Sequence, residues 1–585
     1  MNSTVDCIRG MVNSTGKKTL VFFLVCLLSF ESALIAQSQS ERKFENPILA
    51  GFYPDPGMFR VGDDFYLVTS TFTFFPGVPI FHSTDLVNWR QLGHVLDRPS
   101  QMDVEGLQLS EGIFAPTIQH HEGVFYMITT IVGKGGNFVV TATDPAGPWS
   151  DPVFLPAVQG IDPSIFFDDD GKNYIIYNGD PPENKSLYRG HRTIRMIEFD
   201  TETLKTVGDN VILVNGGVDI HSKPVWIEAP HIYKTRGYYY LWAAEGGTSV
   251  NHSQVVFRTK DLKEMFIPYK NNPILTQRHL DPARPNPISA AGHADMVETK
   301  NGEWWAVFLA TRPYDKKDYY NIGREVFLAP VTWTEDDWPV ISADFTEVQY
   351  FYDAPDLPEN KENIPFPVSG SFTIKDNFDS EKLKDYWVFV RVPKEKWHSI
   401  NTKAKKLTIQ LRPETMFERK NPSFIGRRQQ HNLGYATTDL TFEPKSSNEM
   451  AGMMLLQNEE HHIFFAKGID EEGNHFAKVL KATKEGTYEE LSNTKLGKSP
   501  KSTLSLKVEF ENAKYTFSIK ERGDKDWKEV LEFAEGEYLS TRMAGGFVGV
   551  TMGPYATSSG ESSDNSADFH QFTYSGESTA VKNQK

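Results

Sequence analysis

The chain has 585 residues, enough for more than one domain, and 61 Lys and Arg against 77 Asp and Glu give a formal net charge of −16. That balance argues against nucleic acid or any other polyanion as partner and leaves neutral ligands such as glycans open. Aromatic residues make up 13% of the sequence, with 40 Phe, 23 Tyr and 11 Trp, an excess suited to β-strands and to surfaces that stack on sugar rings.

The first element in chain order is a leader. Lys17 and Lys18 precede an apolar run from Thr19 to Phe30, followed by ESALIAQSQS. The run is too short to cross a bilayer as a helix and has the form of a secretory signal peptide over residues 1–36, cleaved after Ala36. The expected product is exported, periplasmic or secreted, with no membrane attachment after cleavage. Both cysteines, Cys7 and Cys26, leave with the leader, so the mature chain relies on buried area in place of disulfides.

From residue 44 to 352, short runs rich in Val, Ile, Tyr, Phe and Trp are punctuated by the turn signals VGDD, HHEG, DDDGKN and KTRG. Five segments repeat one shape: a head residue, a β-rich run, a polar turn and an aromatic second strand. The heads are Asp55 in YPDPGMFRVGDDFYLVTS, Ala115 in FAPTIQHHEGVFYMITT and Asp162 in IDPSIFFDDDGKNYIIYNG. Ala229 in IEAPHIYKTRGYYYLWAA and His293 in GHADMVETKNGEWWAVFLA complete the set, with Glu228 one place ahead of Ala229. Their separation suits four short strands plus loops, which predicts an all-β fold, a five-bladed β-propeller. Equivalent positions of a propeller converge on its axis, so Asp55, Asp162 and Glu228 are expected to share one pocket.

Three converging acids suit glycosidic bond cleavage, which needs one protonated carboxyl to expel the leaving oxygen and one carboxylate to activate water or attack. Glu228, in the apolar setting VWIEAPHIY, is the expected general acid because desolvation raises a carboxyl pKa. Asp55, between Pro54 and Pro56, is the expected general base on a stiff backbone. Asp162 would be a third charge that keeps the proton on Glu228 and orients it. Asp-Pro steps also serve as plain turn chemistry; three acids in register at equivalent heads favour the catalytic reading.

Residues 353–370, DAPDLPENKENIPFPVSG, read as an ordered Pro-rich linker. Period-2 alternation in KLTIQLRP, AGMMLLQN and STLSLKVEFENAKYTFSIK then predicts a C-terminal β-sandwich over residues 371–575, with a disordered tail at 576–585. Arg427, Arg428 and His431 would either close the catalytic pocket from the sandwich or form an exposed cationic strand. Phe72, Phe74 and Phe75 in TFTFFPG, with Phe75 singled out, and Phe114 and Trp226 are candidates for a sugar-stacking wall.

The stretch NPILAGFYPDPGMFRVGDDFYLVTSTFTFFPGVPIFHSTDLVNW, with GIDPSIFFDDDG, IEAPHIY, GHADMVE and GREVFLAPVTW, resembles glycoside hydrolase family 43, the group of β-xylosidases and α-L-arabinofuranosidases. GRRQQHNLGYATTDLTFEP and GGFVGV resemble its accessory domain. The resemblance implies a five-bladed propeller followed by a jelly-roll or concanavalin-like β-sandwich, and hydrolysis with inversion. It implies Asp55 as general base, Glu228 as general acid and Asp162 as the residue that tunes the acid. Arg312 in LATRPYD matches a family arginine that contacts substrate hydroxyls. His293 matches a histidine that often borders a hydrated axial cation, commonly calcium; such an ion would be structural, with His293 holding its waters, and no cofactor is required for the chemistry. The expected function is exo-acting release of terminal β-D-xylosyl or α-L-arabinofuranosyl residues from plant cell-wall oligo- and polysaccharides. The alternatives are a carbohydrate-binding propeller without catalysis and an endo-arabinanase-like activity; the sequence leaves the oligomeric state open.

Overall fold

The computed structural model of the chain describes residues 42–497 and 502–579. The leader expected at residues 1–36 lies outside them. The described residues fall into two compact units. The smaller comprises residues 42–44 and 351–355, where the strand Lys43–Glu45 pairs with Phe351–Asp353. The larger holds everything else.

Within the larger unit, five antiparallel sheets follow one another in chain order, the fourth with five strands and the others with four. Their innermost strands are Gly57–Val61 in blade I, Gly112–His121 in blade II, Gly160–Phe167 in blade III, Glu228–Thr235 in blade IV and Ser289–Glu298 in blade V. The expected five-bladed propeller is what the chain forms. Blades pack face to face, so their middle strands are apolar on both sides: Phe125–Ile131 in blade II and Tyr240–Ala244 in blade IV are buried without alternation. Side-chain bonds stitch neighbouring blades near the axis. Thr117 Oγ1 donates to the Pro163 carbonyl at 2.9 Å, Ser164 Oγ to that of Pro230 at 2.5 Å, and the Met58 N–H to Asp295 Oδ2 at 2.8 Å, joining the last blade to the first.

The five aligned heads share one backbone state. Asp55, Ala115, Asp162, Ala229 and His293 all have positive φ, at 57°, 24°, 53°, 51° and 55°. In blades II to V the innermost strand loses register there, between Phe114 and Thr117, Ile161 and Ser164, Glu228 and His231, and Gly292 and Asp295. A left-handed residue at a bulge bends the strand and re-aims its side chains. The repeat visible in the sequence is therefore a repeated bulge at the mouth of the axis.

The second half forms two eight-stranded antiparallel sheets. One strand in the first, Leu504–Glu511, alternates buried and solvated positions as a sandwich face requires. The other sheet runs from Tyr488–Lys495 through Met450–Leu456 and Ile425–Arg428 to Val388–Val390. Its last strand is Phe74–Phe75, which belongs to the blade I segment and pairs with Phe389 and Val390. The strand Ser566–Glu577 reaches residues 576 and 577 of the expected tail, paired with Phe372–Asp376 and Leu433–Thr441. From Asp356 onward the expected linker is held against blade I and the N-terminal segment. The Asn360 N–H donates to Asp85 Oδ2 at 2.8 Å and Ser369 Oγ to the Pro47 carbonyl at 2.7 Å.

Candidate active site

Two of the three acids, Asp55 and Asp162, are tied by hydrogen bonds to neighbouring blades. Asp55 is 6% exposed and accepts from Ser70 Oγ at 2.6 Å and from Arg324 Nη1 at 2.8 Å, while His293 Nδ1 stands 3.6 Å from its Oδ1. Ser70 Oγ in turn accepts the Ala115 N–H at 2.6 Å, so one hydroxyl ties the heads of blades I and II. Asp162 Oδ2 accepts the Ala229 N–H at 3.2 Å, tying blade III to the residue beside Glu228. His293 brings in blade V. Hydrogen bonds thus link the heads of blades I and II and of blades III and IV, with His293 standing beside Asp55.

Their proton affinities diverge. Burial alone would raise the Asp55 carboxyl, but the Arg324 cation, His293 and the Ser70 hydroxyl outweigh it and hold Asp55 below the ordinary carboxylate range. Burial, then the charges of Asp162 and Asp55, push Glu228 well above its ordinary value. Asp162 is raised to about 7, again by burial first and then by Asp55. One carboxylate that stays ionised facing one carboxyl that stays protonated is the pairing acid–base hydrolysis requires. Burial pushes the His293 imidazole down to about 3, so it faces Asp55 as a neutral ring.

Arg324 is the cation of the site. It is anchored on Thr248 Oγ1 at 3.0 Å as well as on Asp55, and its guanidinium lies 5.4 Å from the Phe547 ring and 6.0 Å from that of Phe72. Phe547 comes from the sandwich, on a loop fixed to the propeller through its N–H, which donates to Ser110 Oγ at 3.0 Å. Phe72, Phe114 and Phe547 pack against one another with centroids 5.4 to 6.1 Å apart, giving an aromatic wall built from both domains. Trp226 is 36% exposed, two residues ahead of Glu228, with the Arg192 guanidinium 4.5 Å from its ring centre.

Several sequence-derived candidates stand elsewhere. Arg312 is 4% exposed and spends its guanidinium on Glu325, at 2.6 and 2.8 Å, instead of meeting the acids. Phe75 is a strand residue of the sandwich sheet; Phe72, from the same TFTFF run, takes the wall position. Arg427 and Arg428 neither close the pocket nor form an exposed strand. Both are buried, Arg427 with its guanidinium 4.1 Å from the Tyr574 ring and Arg428 donating to the Phe52 carbonyl at 2.8 Å; His431 bonds the Gly370 carbonyl at 2.8 Å. The sequence reading missed Arg324, Phe547 and Ser70. Arg324 stood within the quoted GREVFLAP motif and Phe547 within GGFVGV, but nothing local to either shows that it faces Asp55 or the aromatic wall.

Among the described residues, no three of His, Asp, Glu or Cys converge as metal ligands. His293 Nδ1 stands 3.6 Å from Asp55 Oδ1, and both Asp55 oxygens are engaged, one by Arg324 and the other by Ser70.

Residues 44–339 match the sequence profile of glycosyl hydrolases family 43, and residues 375–575 match that of the beta xylosidase C-terminal concanavalin A-like domain. A xylosidase/arabinosidase of Butyrivibrio fibrisolvens is 41% identical over 534 residues, 90% of this chain and 98% of that protein. The chain belongs to glycosyl hydrolase family 43. A non-reducing end alpha-L-arabinofuranosidase of Bacteroides ovatus is 38% identical to this family 43 hydrolase over 92% of the chain and 96% of the relative. The solved structure of a xylan beta-1,4-xylosidase from Bacillus halodurans aligns with a TM-score of 0.82 at 32% identity, covering 91% of this chain and 100% of that one. Membership at this coverage makes the protein an enzyme, a glycosidase, and sets aside the binding-only alternative.

Proposed function

We propose that this family 43 hydrolase removes single terminal β-D-xylosyl or α-L-arabinofuranosyl residues from plant-derived oligosaccharides by inverting hydrolysis. The observation that carries the reading is the opposed protonation of Asp55 and Glu228 within one ring of blade heads. Asp55 takes a proton from a water molecule as its oxygen attacks the anomeric carbon. Glu228 gives its proton to the glycosidic oxygen as the carbon–oxygen bond breaks, so the sugar leaves with inverted configuration and the aglycone as an alcohol. Solvent returns both carboxyls to their starting states. Arg324 fixes Asp55, and Asp162 holds the Ala229 N–H beside the acid while its own carboxyl keeps Glu228 protonated. Phe547 supports exo action, because a ring inserted from the sandwich walls one side of a propeller mouth that would otherwise be an open groove.

The relatives named xylosidase/arabinosidase and non-reducing end arabinofuranosidase support both sugars and attack at a chain end. Export of the mature enzyme, as the leader implies, would place it where such oligosaccharides are met. The test is hydrolysis of p-nitrophenyl β-D-xylopyranoside and p-nitrophenyl α-L-arabinofuranoside by wild type and Glu228→Ala, with proton NMR of the first-formed anomer. Turnover of either, lost by about 10²–10⁴-fold in the variant and giving the inverted anomer, is expected. A folded wild type inert on both glycosides, or a first product of retained configuration, would overturn the proposal.

A further inference from the structure

The acids occupy the heads of the innermost strands; the far ends of the same strands build a second pocket. It has a volume of about 640 Å³ and is lined from all five blades, by residues 58–62, 119–120, 164–167, 231–234 and 295–298 together with Trp304. That volume suits one or two sugar rings. None of the three acids lines it, so it is not the catalytic pocket seen from another side.

Its cations and Asp295 are already committed. Asp295 accepts from the Met58 N–H at 2.8 Å, from the Met296 N–H at 2.9 Å and from the Tyr233 hydroxyl. Lys234 is paired with Asp168 and Asp169, and Arg60 donates to the carbonyls of Gly62 and Glu298 at 2.7 and 2.9 Å. Among the described residues that line it, no lysine or arginine is left free for a phosphate or a uronate. Half-buried rings remain at Phe59 and Trp304, while Phe167 is stacked on His121 and Tyr233 packs on His231 and Trp242; beside them lie the Gln119 amide and the Glu298 carboxylate, for which no partner is found among the described residues. Flat apolar faces next to unspent neutral donors and a carboxylate acceptor match a ring with C–H faces and equatorial hydroxyls.

We infer that this lower axial pocket is a second, non-catalytic binding site for an uncharged pentose or hexose residue of an oligosaccharide. The inference rests on the glycosidase reading for its choice of ligand. A site here would hold one branch of a polysaccharide on the protein while the acids work on another, and it carries no paired acids that could cleave what it holds.

The test uses the full chain. Glu228→Ala is titrated calorimetrically with xylotetraose, with an arabinose oligosaccharide and with an oligogalacturonate. Two sites per chain are expected for at least one of the neutral probes and one or none for the uronate. Adding Trp304→Ala, or separately Gln119→Ala, should remove one site or weaken it by about tenfold. Trp304→Ala alone should leave kcat and KM on the chromogenic glycosides within about twofold of wild type, since the pocket lies apart from the acids. A single site that neither substitution moves would overturn the inference, as would a Trp304→Ala enzyme whose loss on the small glycosides equals its loss of oligosaccharide binding. Gln119→Ala serves as the second arm because Trp304 packs on Trp333, with centroids 5.3 Å apart, whereas Gln119 is half-exposed. Failure of the wild type to turn over either glycoside is a different result and bears on the catalytic reading.

Discussion

Asp55 and Glu228 are both carboxyls in a buried ring, and what separates them is the company each keeps. Arg324 sits on one and two like charges surround the other. Because Asp55 works ionised and Glu228 works protonated, kcat/KM should be bell-shaped in pH. The acid limb falls as Asp55 gains a proton, below the ordinary carboxylate range; the alkaline limb falls as Glu228 loses one, well above it. Arg324→Ala removes the cation, so the acid limb should shift to higher pH; a pH–rate profile checks this, and an unmoved limb would mean that Arg324 does not set Asp55. Asp162→Asn removes a like charge, so the alkaline limb should shift to lower pH. Its effect on stability has a definite sign. The folded pKa, about 7, lies above the ordinary 3.8, so between these values the folded state binds a proton that the unfolded state does not, and wild-type stability falls as pH rises through that window. Asp162→Asn should therefore be more stable than wild type at pH 8 by about 2–4 kcal/mol and match it near pH 3, which denaturation at both pH values measures. At this scale the acids were legible because each announces itself at a Pro or Ala-Pro step. Their partners were not. Arg312 and Arg324 are both buried arginines of blade V, and choosing between them requires knowing that Glu325 turns towards Arg312 while Arg324 reaches the axis.

Among elements, the decisive one is the bulge near the head of the innermost strand in blades II to V. Four of the five heads are not followed by any glycine that could absorb a left-handed turn, and the turn is made by Asp, Ala or His at some cost in backbone strain. A β-branched side chain tolerates positive φ worse than alanine does. Ala229→Val should lower stability by about 1–3 kcal/mol and reduce kcat more than it raises KM, because Ala229 both adjoins Glu228 and donates to Asp162. A variant of wild-type kcat would show that the bulge does not position the acid. The repeat was readable from sequence since five copies share head, turn and aromatic strand. Nothing in the sequence showed that the shared trait was a backbone angle, nor that TFTFF would send Phe72 to the axis and Phe75 into another sheet. The sandwich strands were readable from strict alternation, whereas the arrival of Phe547 at the acids depends on a contact with Ser110 that lies more than 400 residues earlier.

The whole larger unit holds together through groups that cross between its two architectures. Arg391 of the sandwich donates to the Leu107 carbonyl of the propeller, at 2.5 and 3.1 Å, and Arg312 and Asn432 meet at the same junction. Asn321 donates to the Tyr515 hydroxyl at 2.9 Å. Truncation after residue 370 would leave Phe52, Phe72 and Phe74, now in a shared core with Phe424, Met454 and Tyr555, facing water. The propeller alone should therefore be insoluble or bind a hydrophobic dye, and a soluble, active fragment would refute that. The strand Phe74–Phe75 carries this one step further. A segment encoded within the first blade completes a sheet encoded three hundred residues later, so the gene cannot be cut into two interchangeable cassettes at the Pro-rich stretch. A chimaera that takes its sandwich from a relative must take the matching blade I loop with it, and lineages that exchange parts of this enzyme are constrained to exchange both.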